Sequence, residues 1–96
     1  MRDIFEPRFE PAKSIYLAFQ GEAAKRKGRK VEEWVKAERE AVFRECTQQA
    51  QMRGLHSPTM DEVTAAERYA MGSIDYGAKW AYQLARVMEP VAGQAH

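Results

Sequence analysis

The stretch PTMDEVTAAERYAMGSIDYGAKWAYQLARVMEP, residues 58–90, decides the fold class. It opens as a capping box: Thr59 and Glu62 stand three apart, so each side chain is placed to accept from the other's free backbone N–H. Pro58 and Val63 stand where a hydrophobic staple would hold the entering chain. Beyond them Val63, Ala66, Ala70, Ile74, Gly77, Ala81, Leu84 and Met88 follow a heptad-like line on one helical face. Pro90 ends the element. The spacing predicts a helix over about residues 59–88, roughly 43 Å long at 1.5 Å per residue. Gly72 and Gly77 each weaken it by up to about 1 kcal/mol relative to alanine, so a kink or short break is expected between them.

Working back from Pro58, Gly54 closes a second helix predicted over about residues 31–53, with Leu55 where a Schellman motif places its apolar contact. Val31, Trp34, Val35, Ala41, Val42, Cys46 and Met52 form its apolar face. A first helix is predicted over about residues 11–27. Pro11 lies in its first turn, Ala12, Ile15, Tyr16, Phe19 and Ala23 lie on one face, and Gly28 is its C-cap. Residues 1–10 read as an extended arm carrying Phe5-Glu6-Pro7, the first half of a repeat completed by Phe9-Glu10-Pro11. Leu17 points away from the first helix's apolar face, where that arm is expected to cover it. Residues 89–96 read as a frayed tail. No strand-like alternation occurs. The expectation is an all-α, antiparallel bundle of three main helices in a single domain spanning residues 1–96.

Composition narrows the class. The chain has 96 residues, 45% of them apolar, enough to build a core without a metal or disulfide staple. Fifteen basic residues face 14 acidic ones, and the net charge of +1 gives no global pull toward nucleic acid or an anionic membrane. Cys46 is the only cysteine, which excludes an internal disulfide and favours a reducing compartment. The first residues lack the apolar run of a signal peptide, and no apolar run approaches the roughly 20 residues of a membrane span. A soluble cytoplasmic protein is expected.

Few residues point to chemistry. Glu38 and Glu45 lie seven apart on the side of the second helix that carries Val31, Trp34 and Val42. A carboxylate within an apolar stripe is costly to bury unless paired or protonated, and that combination marks some functional sites. The plainer expectation is that both lie near the rim, or pair with Arg68, Lys79 or Arg86 across the bundle. No Glu-x-x-His motif accompanies them. His56 in a turn and His96 at the last position lack a second ligand, and Cys46 reads as core. No catalytic residue, metal site or cofactor is therefore expected.

Two surfaces remain. Lys25, Arg26, Lys27, Arg29 and Lys30 crowd around Gly28 at a helix end, where they offset the helix dipole or contact phosphates. Ala50, Gly54, Met60 and Val63 fall at spacings used by helix-turn-helix motifs, but the preceding helix is too long for one. On the third helix, small residues including Gly77 run beside the aromatic ridge of Tyr69, Tyr76 and Trp80. With Phe5 and Phe9 of the arm, this ridge is the expected interaction surface, for a partner protein or for a homodimer through the third helix. Ordinary packing against the second helix competes for the same face.

The order of motifs supplies one further expectation. Glu10-Pro11-Ala12-Lys13-Ser14-Ile15-Tyr16 leads to Gly28-Arg29-Lys30-Val31-Glu32-Glu33-Trp34, then to Ala37-Glu38-Arg39-Glu40-Ala41-Val42. Ser57-Pro58-Thr59-Met60 and Asp75-Tyr76-Gly77-Ala78-Lys79-Trp80 complete the set. Over residues 10–88 this order resembles small accessory proteins of tailed bacteriophages and prophages of Gram-negative bacteria. The resemblance implies a non-enzymatic protein in the host cytoplasm that binds a host or phage protein stoichiometrically, as anti-CRISPR proteins do. It carries no catalytic residues. The alternative is a small nucleic-acid-binding regulator using the cluster around residues 25–30.

Overall fold

The computed structural model describes residues 6–90, which form four α-helices and no strand. α1 runs Ala12–Ala23, α2 Val31–Arg53, α3 Met60–Ala70 and α4 Tyr76–Met88. The all-helical bundle is as expected, but the count of three main helices is corrected to four. The predicted third helix is two, because the chain turns between Ala70 and Tyr76 with Gly72 at φ +90°, a left-handed geometry that suits glycine. Asp75 then restarts the helix, its carboxylate accepting from the Ala78 N–H at 3.4 Å.

α3 and α4 lie antiparallel. The His56 N–H bonds the Met88 carbonyl at 3.0 Å, and the Trp80 indole N–H bonds the Val63 carbonyl at 3.0 Å. The capping box is formed: the Glu62 N–H donates to Thr59 Oγ1 at 3.1 Å and the Thr59 N–H to Glu62 Oε1 at 2.9 Å. At the end of α2, Gly54 adopts φ +68° and the Leu55 N–H returns to the Ala50 carbonyl at 3.0 Å, closing the predicted Schellman-type end.

α1 packs on α2 and α4, while α3 packs on α4 and α2, so the four helices surround one core. Ile15 and Phe19 of α1, Val42 and Cys46 of α2, Val63 of α3, and Trp80 and Leu84 of α4 fill it. α1 ends at Ala23 rather than near Lys27, because the chain leaves the helix there and turns Arg26 back toward α2. α2 is 23 residues long against 12 for α1, about 34 Å against 18 Å. Val31 and Met52, expected on the apolar face near its two ends, are 63% and 64% exposed.

Phe9 is 82% exposed and Leu17 is 54% exposed, so Phe9 does not cover Leu17 as the arm was expected to do. Phe5 and His96 lie outside the described residues. No described helix is long and apolar enough to cross a membrane.

Candidate functional site

The carboxylate singled out in α2 organises one end of the bundle. Glu38 is 2% exposed and lies on the inner face of α2 with Val42. Its partner comes from neither α3 nor α4 but from the α1–α2 connection. Arg26 donates to both carboxylate oxygens, Nε to Oε2 at 2.6 Å and Nη2 to Oε1 at 2.8 Å. Nη2 also donates to the Tyr76 hydroxyl at 2.7 Å. The guanidinium lies flat on Trp34, with Cζ 3.9 Å from the ring centroid. Four segments therefore meet on one side chain: the connection itself, the start of α2, the middle of α2 and the start of α4.

The electrostatics follow from this geometry. The Glu38 carboxylate, hydrogen-bonded to Arg26, holds the guanidinium protonated above its ordinary value. Burial pushes the Tyr76 phenol upward, partly offset by the Arg26 hydrogen bond, so the hydroxyl stays neutral. Every buried side-chain nitrogen and oxygen among the described residues has a hydrogen-bond partner. Glu45, read in the sequence beside Glu38, belongs elsewhere: its carboxylate accepts from Gln49 at 2.9 Å, and Gln49 accepts from Arg53 at 2.7 Å.

A second buried pair was missed in the sequence. Glu67 of α3 is 6% exposed and accepts from Arg39 Nε of α2 at 2.6 Å. The signal was the one that picked out Glu38, a carboxylate between Val63 and Ala70 on an apolar helical face.

Above these charges lies a groove of about 310 Å³, lined by Val31, Trp34, Val35, Met71, Gly72 and Tyr76, with Arg26 and Glu67 at its polar edge. Val31 and Met71 are 63% and 62% exposed, and Ile74, in the same α3–α4 turn, is fully exposed. A larger depression of about 470 Å³ between α2 and α3 is lined by Val35, Met60 and Thr64 together with the charged Glu32, Lys36, Arg39 and Glu40. The apolar groove is the better binding candidate, since concave apolar walls with a few fixed polar groups characterise such sites.

The aromatic ridge is divided. Trp80 is 1% exposed, edge-on to Phe19 at 5.7 Å, and Gly77 is buried against the same ring. Tyr76 is half-buried at the groove, whereas Tyr69 faces solvent at 60% exposure with the Lys79 ammonium 4.9 Å from its ring centroid. Tyr82, on a different side of α4 from the ridge, is 47% exposed. The basic cluster is divided too. Arg26 is bound inward, while Arg29 and Lys25 each approach Glu22 at 3.5 Å. Lys27 and Lys30 are exposed. His56 approaches Glu62 at 3.2 Å, and no cluster of metal-ligating side chains occurs among the described residues.

Comparison with protein-family models, with curated proteins and with solved structures finds no match.

Proposed function

We propose that this chain is a non-enzymatic accessory protein, of the kind carried by phages and prophages, that acts by binding another protein. The observation that carries the reading is the apolar groove beside the Arg26–Glu38 pair, where Val31 and Met71 are exposed with no covering segment among the described residues. Exposed apolar side chains around a concave surface are a recurring mark of protein contact sites. The bound charges beneath them support the same reading, because Glu38 and Arg26 satisfy each other and hold the groove wall in place. A regulator using Lys25, Arg26, Lys27, Arg29 and Lys30 on nucleic acid has less support, since three of those five cations face carboxylates of the chain itself.

The test is capture from a bacterial host lysate with wild type, with Val31→Lys/Met71→Lys, and with Gln48→Ala on exposed α2 surface. The expected result is one stoichiometric partner held by wild type and Gln48→Ala and lost from the groove variant, all three showing equal helicity. Capture indifferent to the groove substitutions, or no partner at all, overturns the reading.

A further inference from the structure

The other exposed face of the α3–α4 pair has a different chemistry from the groove. α4 contains no carboxylate between Tyr76 and Met88, and its outward stripe is Lys79, Tyr82, Gln83 and Arg86. These residues follow i, i+3, i+4, i+7 spacing, so they share one side of the helix. Tyr69 of α3 joins them across the helix pair, with the Lys79 ammonium on its ring and with Gln83, Arg86 and Val87 lining a shallow, mainly polar depression beside it. The order across the face is tyrosine, two cations, tyrosine. Neither Lys79 nor Arg86 has an ion-pair partner among the described residues. The nearby carboxylates stand at the ends of the pair, Asp61 and Glu62 at the start of α3, Asp75 before α4 and Glu89 after it, while Glu67 is turned inward to Arg39.

We infer that this face binds single-stranded nucleic acid. Lys79 and Arg86 lie about 10 Å apart along α4 and contact backbone phosphates, while Tyr69 and Tyr82 offer rings on which unpaired bases stack. The polar, shallow shape favours a polyanion with flat bases over an apolar peptide, which the groove at the other site fits better. Duplex DNA is disfavoured because α3 begins with Asp61 and Glu62, the helix start that a major-groove reader would present to bases and phosphates.

The experiment is fluorescence anisotropy with a labelled 15-nucleotide single strand of mixed sequence, the same sequence as a duplex, and labelled poly-glutamate. The expected result is single-strand binding that weakens with salt at a log–log slope of about −1.4, from two phosphate contacts. Tyr69→Ala and Tyr82→Ala each weaken it about tenfold, and Lys79→Glu/Arg86→Glu abolishes it, while Lys27→Glu/Lys30→Glu leaves it unchanged. All substituted residues are at the surface, so unchanged circular dichroism is expected throughout. Absence of single-strand binding at low salt, equal binding of poly-glutamate, or loss only with the Lys27/Lys30 variant overturns the inference. None of these outcomes bears on protein capture by the groove.

Discussion

Arg26 and Glu38, twelve residues apart in the chain, form a two-point ion pair in which the carboxylate is almost wholly buried and the guanidinium is about one-third exposed. Removing one partner strands the other charge in a poor environment. Arg26→Met is expected to destabilise the fold by about 3 kcal/mol, the lower end for such losses because water still reaches Arg26. The double substitution Arg26→Met/Glu38→Met should recover most of that loss, since an apolar pair often replaces a buried ion pair with little cost. Urea denaturation of the three proteins checks this. Equal stability of Arg26→Met and wild type would show that the pair contributes nothing to holding the groove.

The start of α3 carries a pH dependence whose sign is fixed by its hydrogen bonds. The Thr59 backbone N–H, bonded to Glu62, holds that carboxyl below its ordinary value of 4.5, with His56 adding to the effect. A carboxylate with a lowered folded-state pKa contributes stability that is present above the unfolded value and lost as pH falls through the folded one. The stability that Glu62 contributes over Glu62→Gln should therefore be present above about pH 4.5 and shrink as pH falls below it. Thr59→Ala should cost about 1 kcal/mol at neutral pH. Thermal melts across pH 3 to 7 measure both.

How far these features could be read in advance differed by residue. The Thr59–Glu62 box and the Gly54 stop are local, involving side chains within one turn of each other, and both were legible. The break between Gly72 and Gly77 was visible as a weak point. Whether it bent or severed the helix depended on where Met71 and Ile74 end up, and Ile74 keeps the apolar phase yet is fully exposed. The place of Glu38 in an apolar stripe was legible, but neither its burial nor its partner was. Arg26 reaches it only because the α1–α2 connection folds back, a path that no periodicity encodes. Trp80 illustrates the same limit: a tryptophan beside a line of small residues suits an interface or a core, and contact with Phe19 and Val63 decides for the core.

Cys46 should behave as an inert thiol in the folded protein. It is fully buried among Val42 and its core neighbours, and burial, reinforced by the nearby Glu45 charge, pushes its pKa up to about 12. The thiolate needed for alkylation or disulfide exchange is therefore scarce at pH 8. Modification by a disulfide reagent is expected to be slow in buffer and rapid in denaturant, tracking unfolding. Rapid labelling under native conditions would place Cys46 at an accessible surface instead.

Two helical glycines give opposite predictions for the same substitution. Gly77 of α4 packs against Phe19, and a Cβ there would sit 2.4 Å from Cε2 and 2.7 Å from Cδ2 of that ring. Phe19 has little freedom to withdraw, because Tyr76 and Trp80 hold it edge-on at 5.4 Å and 5.7 Å. The gain in helix propensity, up to about 1 kcal/mol, is then outweighed by overpacking of about 1–3 kcal/mol. Gly21 of α1 has nothing within 4 Å of its would-be Cβ, so alanine there meets no obstacle and should stabilise by up to about 1 kcal/mol. Denaturation midpoints of Gly77→Ala and Gly21→Ala should thus move in opposite directions. A stabilised Gly77→Ala would mean that α1 and α4 do not approach as closely as the Phe19–Gly77 contact requires.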